Sequence, residues 1–489
     1  MGSILSILNT FSSSPFFMEK SPFQKLLIEK FGLTPTEHQS ELFQALEDFV
    51  KYRDRKSAFV LTGYAGTGKT SVLGAFVKAL KSVKVPVKLL APTGRAAKVF
   101  GGKSSADAFT IHKQIYRRKS KTDFGSPLSL QPNLSKHTVF IVDEASMIGD
   151  YTLQSDGSVN ARNLLEDLFE YVYSGVGCKL ILMGDEGQLP PVGSDHSPAL
   201  SLKYLEHHFP ELQIFNFRLT EVLRQAEDSE VLKNATLLRN TEWVDYPKFD
   251  LVPGGDLIRI NGMELQDALD SAIHADGAEE CIVVTRSNKR ANNYNLQIRG
   301  RILWYEEQLS GGDYLMVVKN NYYWMGEDSR MGFIANGEIF RIRRILGYEE
   351  LYGFNFVRVM ANFVDYEQEG DVELILHTET LLTEGPSLPR DRMKELFYAV
   401  EQDYVHIKVK KDRYEAILKD LYFNALQVKY AYAVTCHKSQ GGQWKHVFID
   451  QGFLNEDILG PDYYRWLYTA LTRTTDKAYL VNFNDAFFE

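Results

Sequence analysis

The sequence predicts an α/β protein with parallel, doubly wound sheets, and two observations carry this prediction. Short apolar runs that do not alternate with polar residues recur along the first half of the 489-residue chain, and helical segments separate them. Such runs are typical of strands that are buried on both faces of a parallel sheet. A second set of similar runs lies further along the chain, so we expect a second sheet.

The predicted strands of the first sheet lead directly into polar loops. They cover residues 58–62, 87–91, 139–142 and 179–183. Ligands of open parallel sheets bind beyond the carboxyl ends of the strands, so these loops are expected to share one site. The strands of the second sheet are expected at residues 281–285, 430–435, 447–450 and 478–481. Between them, residues 337–426 show patterns of antiparallel strands and turns, which predicts an inserted subdomain.

Residues 63–70, Gly-Tyr-Ala-Gly-Thr-Gly-Lys-Thr, match every position of the phosphate-binding loop (P-loop) pattern. They lie between a predicted strand and a predicted helix, where backbone N–H groups and the helix dipole can bind phosphates. Lys69 is expected to reach the β- and γ-phosphates of a nucleoside triphosphate, and Thr70 to bind Mg²⁺. The predicted nucleotide contacts are Gly63, Ala65, Gly66, Thr67, Gly68, Lys69, Thr70 and Ser71.

The composition, the cysteine spacing and the length of the apolar runs narrow the class of protein. The chain is 44% hydrophobic and 24% charged, which is ordinary for a globular protein. Its three cysteines, Cys178, Cys281 and Cys436, are far apart in sequence, which argues against a disulfide framework or a zinc site. No apolar run is long enough to cross a bilayer, so we expect a cytoplasmic protein without a membrane partner. Residues 1–20 are expected to be a disordered tail.

The net charge of −9 hides two basic tracts. Residues 95–121 hold eight Lys and Arg and one acidic residue, and residues 282–305 hold five Lys and Arg and no acidic residue. Basic tracts in an acidic chain are consistent with a groove for nucleic acid. They are equally consistent with solvated surfaces, and the sequence leaves both interpretations open.

Further motifs follow the P-loop in a fixed order. They are residues 143–144 (Asp-Glu), 184–193 (Gly-Asp-Glu-Gly-Gln-Leu-Pro-Pro-Val-Gly), 219–225 (Leu-Thr-Glu-Val-Leu-Arg-Gln) and 468–473 (Tyr-Thr-Ala-Leu-Thr-Arg). Residues 33–39, Leu-Thr-Pro-Thr-Glu-His-Gln, precede it. Together these motifs resemble those of the superfamily 1B DNA helicases of the RecD and Dda type, over residues 33–481. The resemblance implies two RecA-like P-loop domains, an inserted hairpin (the pin) and an inserted SH3-like β-barrel.

The resemblance implies a role for each motif in ATP hydrolysis. Asp143 holds Mg²⁺, Glu144 activates the attacking water and Gln188 senses the γ-phosphate. Arg224 and Arg473 reach the γ-phosphate across the cleft between the domains. Gln39 is expected to select adenine and Gly441 to lie beside the nucleotide. Arginine groups suit this task because negative charge spreads over the oxygens of the transferred phosphoryl group.

The resemblance also implies a set of DNA contacts, in which hydroxyls, backbone N–H groups and basic side chains hold phosphates without reading base sequence. The expected contacts are Pro92, Thr93, Gly94, Arg95, His112, Lys113, Thr435, His437, Lys438 and Ser439. Phe124 is a candidate for the wedge that separates the strands, although it could equally anchor a loop. Taken alone, His112 and His437 would more often be structural.

The expected domains follow from the same resemblance. Residues 21–100 and 137–215 form the first RecA-like domain, and residues 101–136 form the inserted pin region. Residues 216–336 and 427–489 form the second RecA-like domain. Residues 337–426 form the SH3-like barrel, and the preceding Asn-Gly-Glu at 336–338 matches the family.

The function that this resemblance implies is ATP-dependent DNA unwinding with 5′–3′ movement on single-stranded DNA. ATP and Mg²⁺ are the expected cofactors, and single-stranded DNA and duplex junctions are the expected partners of a monomer. Three alternatives remain: an ATPase that translocates or remodels protein without unwinding, an RNA helicase, and a nucleotide-dependent binding module. Glu144, Arg224 and Arg473 argue against the last, because a binding module needs no hydrolytic groups.

Overall fold

The computed structural model describes residues 20–117, 129–150, 152–153, 159–160, 163–221, 229–240, 246–325, 329, 331–385, 387–454 and 459–488. Residues 1–19 of the predicted tail, Phe124 and Arg224 therefore lie outside the described residues. Two parallel sheets and a closed barrel make up the framework. Within the described ranges, no helix combines the length and the apolar character that a membrane span needs.

A six-stranded parallel sheet forms the first domain, with strand order β10-β1-β9-β6-β2-β3. Strands β1, β6 and β9 are buried along their whole length, which explains their uninterrupted apolar sequences. The strands of this half are β1 (Ser57–Gly63), β2 (Val87–Ala91), β3 (Ala108–Thr110), β4 (Tyr116–Arg117), β5 (Ser129–Leu130), β6 (Val139–Val142), β7 (Thr152–Leu153), β8 (Val159–Asn160), β9 (Lys179–Gly184) and β10 (Gln213–Leu219). Its helices are α1 (Pro22–Phe31), α2 (Glu37–Lys51), α3 (Lys69–Ser82), α4 (Gly94–Ser104), α5 (Ile111–Ile115), α6 (Leu164–Ser174) and α7 (Leu202–His208).

A five-stranded parallel sheet forms the second domain, with strand order β11-β20-β19-β12-β18. The strands of this half are β11 (Leu257–Ile260), β12 (Cys281–Thr285), β13 (Tyr314–Val317), β14 (Ile339–Leu351), β15 (Phe354–Phe363), β16 (Asp371–His377), β17 (Leu426–Tyr430), β18 (Ala433–Thr435), β19 (Trp444–Asp450) and β20 (Thr474–Val481). Its helices are α8 (Glu230–Asn240), α9 (Glu264–Asp276), α10 (Asn288–Arg301), α11 (Arg390–Glu401), α12 (Lys410–Leu418), α13 (Cys436–Ser439) and α14 (Pro461–Leu471). Two parallel sheets and a barrel confirm the predicted fold class.

The closed barrel contains β13, β14, β15, β16 and β17. It therefore spans residues 314–430, and the limits of 337–426 predicted from sequence are too narrow. The reason is closure: β13 pairs with both β14 and β17, so strands from either side of the insertion complete the barrel. Helix α11 packs on the barrel through Leu396 and Val400, which join Phe354 and Phe356 in one apolar cluster.

Two other predicted boundaries also move. Strand β10 pairs with β1 in the first sheet, so the first domain continues to Leu219 and does not end at residue 215. Strand β3 pairs with β2, so the segment from residue 101 to α5 belongs to the first domain and not to an insertion. The remaining part of the predicted pin region, residues 116–136, contains the antiparallel pair β4–β5, which flanks residues 118–128.

A buried ion pair joins the second domain to the barrel. The Arg299 guanidinium donates to both carboxylate oxygens of Asp313 at 2.8 Å, and the Tyr432 hydroxyl donates to Asp313 at 3.0 Å. The Arg299 and Asp313 side chains are only 5% and 0% exposed. This pair therefore fixes the start of β13 against α10.

Replacing Asp313 by alanine is expected to lower the free energy of unfolding by about 3–5 kcal/mol, because Arg299 is left as an uncompensated buried charge. Urea denaturation followed by circular dichroism measures this change. Asp391→Ala is the matched control, since Asp391 pairs with Lys394 at an exposed position and should cost less than about 1 kcal/mol. Equal losses in the two variants would contradict this account of the interface.

Candidate functional site: a nucleotide cleft between two domains

A cleft of about 440 Å³ lies between the two parallel sheets. On the first domain it lies at the carboxyl ends of β1, β9 and β6, which are neighbours in the sheet. Residues that line it from the first domain include Ala65, Gly66, Gly68, Lys69, Thr70, Ser71, Asp143, Glu144 and Gln188. Residues that line it from the second domain include Gly441, Gln443, Thr472 and Arg473. The structure thus brings Ala65 and Arg473, which are 408 positions apart in sequence (473 − 65), into one cavity.

The P-loop is held by its own hydrogen bonds. The Lys69 ammonium donates to the carbonyl oxygens of Gly63 and Tyr64 at 2.6 and 2.8 Å, and the Thr67 hydroxyl donates to the Tyr64 carbonyl at 2.8 Å. Two of its glycines have left-handed backbones, with φ of +78° at residue 66 and +84° at residue 68. Helix α3 begins at Lys69, so its N-terminal dipole points into the cleft.

Asp143 and Glu144 follow β6 as an adjacent pair of carboxylates. Burial, with the neighbouring Glu144 charge, raises the pKa of Asp143 to about 7. The Glu144 N–H donates to the Asp143 carboxylate at 2.7 Å, and Glu144 has an unusual left-handed backbone with φ of +52°. Strain of this kind is concentrated at functional sites. Carboxylate and hydroxyl oxygens are the ligands that Mg²⁺ prefers, so Asp143 and Thr70 fit a magnesium ion.

Arg473 reaches the first domain from the second. Its guanidinium lies 3.8 Å from the Glu144 carboxylate, and its side chain is 4% exposed. The guanidinium also donates to the Thr469 carbonyl at 3.0 Å and to the Thr472 hydroxyl at 3.2 Å, which fixes its direction. Arg473 therefore lines the same cavity as Lys69.

The loop after β9 connects the cleft to the second domain. The backbone N–H of Leu189 donates to the Thr469 hydroxyl at 2.9 Å, and its carbonyl accepts from the Gln440 amide at 2.8 Å. The neighbouring Gln188 is buried, and its side-chain oxygen has no hydrogen-bond partner among the described residues. Because Gln188 lines the cleft, its side-chain oxygen can accept a hydrogen bond there.

Gln39 does not line this cleft. Its amide oxygen accepts from the Thr36 N–H at 3.1 Å in the capping box that begins α2. The amide nitrogen is buried and has no partner within the described part of the chain. A role for Gln39 in adenine selection stays a prediction.

Gly441 lets the two domains approach each other closely. Its φ of +73° is left-handed, and a Cβ atom at this position would lie 3.0 Å from the Cβ of Ala96 and 3.1 Å from the Thr93 hydroxyl. A side chain at residue 441 would therefore separate the second domain from α4. Gly441 lines the cleft, as do Ala96 and Lys103 on α4.

The DNA contacts predicted on the first domain meet other parts of the same chain. The Arg95 guanidinium donates to the Gln443 carbonyl at 2.8 Å and lies 4.1 Å from the Trp444 ring centroid. The Lys113 ammonium donates to the carbonyl of Ser329. Burial lowers the pKa of His112 to about 4, so its ring is neutral at pH 7. These side chains form domain contacts in this conformation, and their role in DNA binding stays a prediction.

Two other predicted contacts on this loop have structural partners. The Thr93 hydroxyl accepts from the Ala96 N–H at 3.2 Å and caps α4, while Pro92 is half-buried. The Glu338 carboxylate, directly before β14 of the barrel, is packed on Gly94, since a Cβ atom on Gly94 would lie 2.3 Å from its oxygen. Burial raises the pKa of Glu338 to about 8.

A second cavity, of about 600 Å³, holds predicted DNA contacts of the second domain. Thr435 and His437 line it together with the proline-rich end of the 184–193 loop. The Arg286 guanidinium lies 5.4 Å from the Tyr463 ring and 5.9 Å from the Trp466 ring at the same cavity. We call this cavity the polar groove; its aromatic and cationic side chains are the types that bind single strands.

The remaining predicted contacts near the polar groove do not line it. The Ser439 hydroxyl is buried and donates to the Cys436 carbonyl at 2.8 Å, which is a structural bond. Burial lowers the pKa of Lys438 to about 8, and this residue lies apart from the groove lining.

The basic tract at residues 282–305 is mainly structural. Arg290 pairs with the buried Asp450, and Arg299 pairs with Asp313, while Arg286 lines the polar groove. Sequence reasoning did not single out Arg286, although it follows directly after β12 at the carboxyl edge of the second sheet. It also missed Tyr468, which lies five residues before Arg473 in the 468–473 motif.

Two family models match the chain. Residues 37–245 match an AAA domain, and residues 430–481 match a UvrD-like helicase C-terminal domain. The first match contains the P-loop and the 143–144 and 184–193 motifs. The second contains His437 and Arg473, so the two matches cover both sides of the cleft.

Several known proteins are similar to this chain. The ATP-dependent DNA helicase dda of Enterobacteria phage T4 is 26% identical over 63% of this chain and 67% of that protein. The ATP-dependent RecD2 DNA helicase of Deinococcus radiodurans is 28% identical over 54% of this chain, and this alignment covers 34% of that larger protein. The R530 protein of Acanthamoeba polyphaga mimivirus is 22% identical over 88% of this chain and 96% of that protein.

Among solved structures, the Pif1 helicase from Bacteroides in complex with ADP-AlF3 and ssDNA is 15% identical, with a TM-score of 0.46 over 94% of this chain and 95% of that one. The chain therefore contains an AAA domain and a UvrD-like helicase C-terminal domain and is homologous to the Dda and RecD2 helicases, which is consistent with a helicase of superfamily 1B.

Proposed function

We propose that this protein is an ATP-dependent DNA helicase that moves 5′ to 3′ along single-stranded DNA and unwinds the duplex ahead. One observation carries the proposal: Arg473 of the second domain and Lys69 and Glu144 of the first line a single cleft. The activity for which the phage T4 and Deinococcus relatives are named supports the same conclusion. All of these residues come from one chain, so a monomer can supply the whole cleft.

The residues of the cleft divide the work of ATP hydrolysis. Lys69 and the N-terminus of α3 neutralise the β- and γ-phosphates. Thr70 and Asp143 would hold Mg²⁺, which would supply positive charge to offset that of the phosphate oxygens. Glu144 orients and deprotonates the attacking water, which its position beside Asp143 allows. Arg473 neutralises charge on the transferred phosphoryl group, a contribution of about 10³- to 10⁵-fold in rate.

Movement follows from the fact that Arg473 belongs to the second domain. The arginine is useful only when the two domains approach, so hydrolysis is conditional on closure of the cleft. Helix α14 connects ATP hydrolysis to DNA binding. Trp466 on this helix lines the polar groove, and Arg473, just beyond the end of the helix, lines the cleft. A change in cleft width therefore moves the groove. Each base-pair step that is opened costs about 1.4 kcal/mol.

The polar groove holds DNA through its backbone. Hydroxyl and cationic side chains contact phosphates, and aromatic side chains stack on bases regardless of sequence. We infer that Thr435, His437 and Arg286 contact the strand here. We infer that the first-domain residues Gly94, His112 and Lys113 also contact the strand when Glu338 no longer packs on Gly94 and Ser329 no longer accepts from Lys113.

Strand displacement tests this function. Duplexes with a 5′ tail, duplexes with a 3′ tail and an RNA duplex are incubated with ATP and the wild-type protein. We expect only the 5′-tailed DNA to open at a substantial rate. Opening of the RNA duplex at an equal rate would favour an RNA helicase. DNA-stimulated hydrolysis without opening would favour a translocase, and hydrolysis that DNA does not stimulate would exclude the helicase function.

A further inference from the structure

Tyr468 links the second domain to two separate loops of the first. It is buried on α14, with 3% of its surface exposed. Its hydroxyl donates to the Asp185 carboxylate at 2.6 Å and accepts from the backbone N–H of Ala65 in the P-loop at 2.9 Å. One side chain therefore joins the P-loop, the loop after β9 and the helix that leads to Arg473.

The packing around this hydroxyl leaves it little freedom. The second oxygen of Asp185 accepts from the Gly187 N–H at 2.9 Å, which fixes the carboxylate. A Cβ atom on Gly187 would lie 3.1 Å from the Tyr468 ring, so the loop is pressed against the ring. Burial and the Asp185 charge both raise the pKa of Tyr468, so the hydroxyl keeps the proton that it donates. A hydrogen bond to a carboxylate is stronger than one between neutral groups.

Tyr468 and Arg473 are part of one rigid segment. Tyr468 lies in the last turn of α14, and its backbone carbonyl accepts from the N–H of Thr472 at 3.0 Å, directly before Arg473. The Thr469 hydroxyl binds the first domain as well, through Leu189. The separation between the P-loop and this helix end therefore sets how far the Arg473 guanidinium extends into the cleft.

We propose that Tyr468 is a positioning residue for hydrolysis, which sets the reach of Arg473 into the cleft through its bonds to Ala65 and Asp185. This inference rests on the proposed function, because it assumes that Arg473 assists ATP cleavage. Tyr468 is not among the residues that line the cleft, so it acts on the site through Arg473. A purely structural tyrosine would affect stability and would act independently of Arg473.

Tyr468→Phe removes the hydroxyl and keeps the ring. We expect the kcat of DNA-stimulated ATP hydrolysis to fall at least about tenfold, with the KM for ATP changed less than about threefold. Tyr294→Phe is the matched control, since the Tyr294 hydroxyl donates to the buried carboxylate of Asp450 at 2.9 Å and neither residue lines the cleft. Its kcat should stay within about twofold of the wild type.

A double-mutant cycle with Arg473→Ala separates positioning from a structural role. Single-turnover hydrolysis of labelled ATP should be no slower in the Tyr468→Phe, Arg473→Ala protein than in Arg473→Ala alone, because both changes act through the same guanidinium. A further loss of about tenfold in the double variant would overturn the proposal, as would a wild-type kcat in Tyr468→Phe.

Two further comparisons keep the result interpretable. If Tyr468→Phe does not fold, Asp185→Asn keeps the size of the acceptor and removes its charge, and the same cycle is measured with that variant. Wild-type protein that DNA does not stimulate would refute the proposed function itself. If DNA stimulates ATP hydrolysis by the wild type and the kcat of Tyr468→Phe is unchanged, only the positioning role is refuted.

Discussion

Lys69→Ala should reduce ATP turnover at least about 10²- to 10³-fold, the loss typical of removing one preorganised electrostatic group from an active site. The Lys69 ammonium lies in the cleft, where the P-loop carbonyls of Gly63 and Tyr64 hold it. Its removal leaves the phosphate charge without the cation that P-loop enzymes direct at it. Steady-state phosphate release with saturating single-stranded DNA measures the loss.

DNA binding should survive the same change, because Lys69 is not among the residues that line the polar groove. Fluorescence anisotropy of a labelled oligonucleotide should give a Kd within about threefold of the wild type. Lys78→Ala, on the exposed face of the same helix, is the control and should leave both measurements unchanged. A Lys69→Ala protein with normal turnover would show that the cleft is not where ATP is cleaved.

Arg473→Ala is expected to lower kcat about 10³-fold or more, the contribution of an arginine finger. The guanidinium is held 3.8 Å from Glu144 and is almost completely buried, so water cannot replace it effectively. The affinity for ATP should change far less, because the P-loop supplies most ground-state contacts. Arg473→Lys should recover little of the loss, since an ammonium lacks the planar fork of donors.

Arg259→Ala serves as the control for a loss of positive charge from the second domain. Arg259 pairs with Asp485 at the partly exposed edge of the second sheet, away from the cleft. Its kcat should match that of the wild type. If the two arginine variants lost turnover equally, Arg473 would have no special role, and the idea of catalysis across the cleft would be wrong.

The sequence was most informative where a local pattern determines local structure. The P-loop pattern and the buried apolar strands β1, β6 and β9 predicted the first sheet and the position of its site, because these features depend on neighbouring residues. The limits of the barrel were not predictable in this way. Strands β13 and β17 look like the parallel strands around them, and only their long-range pairing shows that they close a barrel.

The sequence also does not show which groups the charged side chains contact. The resemblance predicts that Arg95 and Lys113 contact DNA, which stays a prediction; in the structure each lies against a segment more than 200 residues away in the chain. Arg299 belonged to a basic tract and is instead half of a buried ion pair. A single sequence shows which side chains are charged, whereas the fold decides which of them face each other.

Tyr468 shows the same limit at the site itself. Helical spacing places it near Arg473, yet nothing in its sequence neighbourhood indicates a bond to the P-loop 403 residues away. The resemblance to a known family indicates Arg473, because the 468–473 motif is defined by its arginine.

We propose that ATP cleavage and single-strand binding are coupled through Arg473 across one cleft. The ratio of ATP turnover with and without saturating single-stranded DNA, in the wild type and in Arg473→Ala, measures this coupling. We expect at least about tenfold stimulation of the wild type and almost none of the variant. Equal ratios in both proteins, or a wild-type ratio of one, would contradict it.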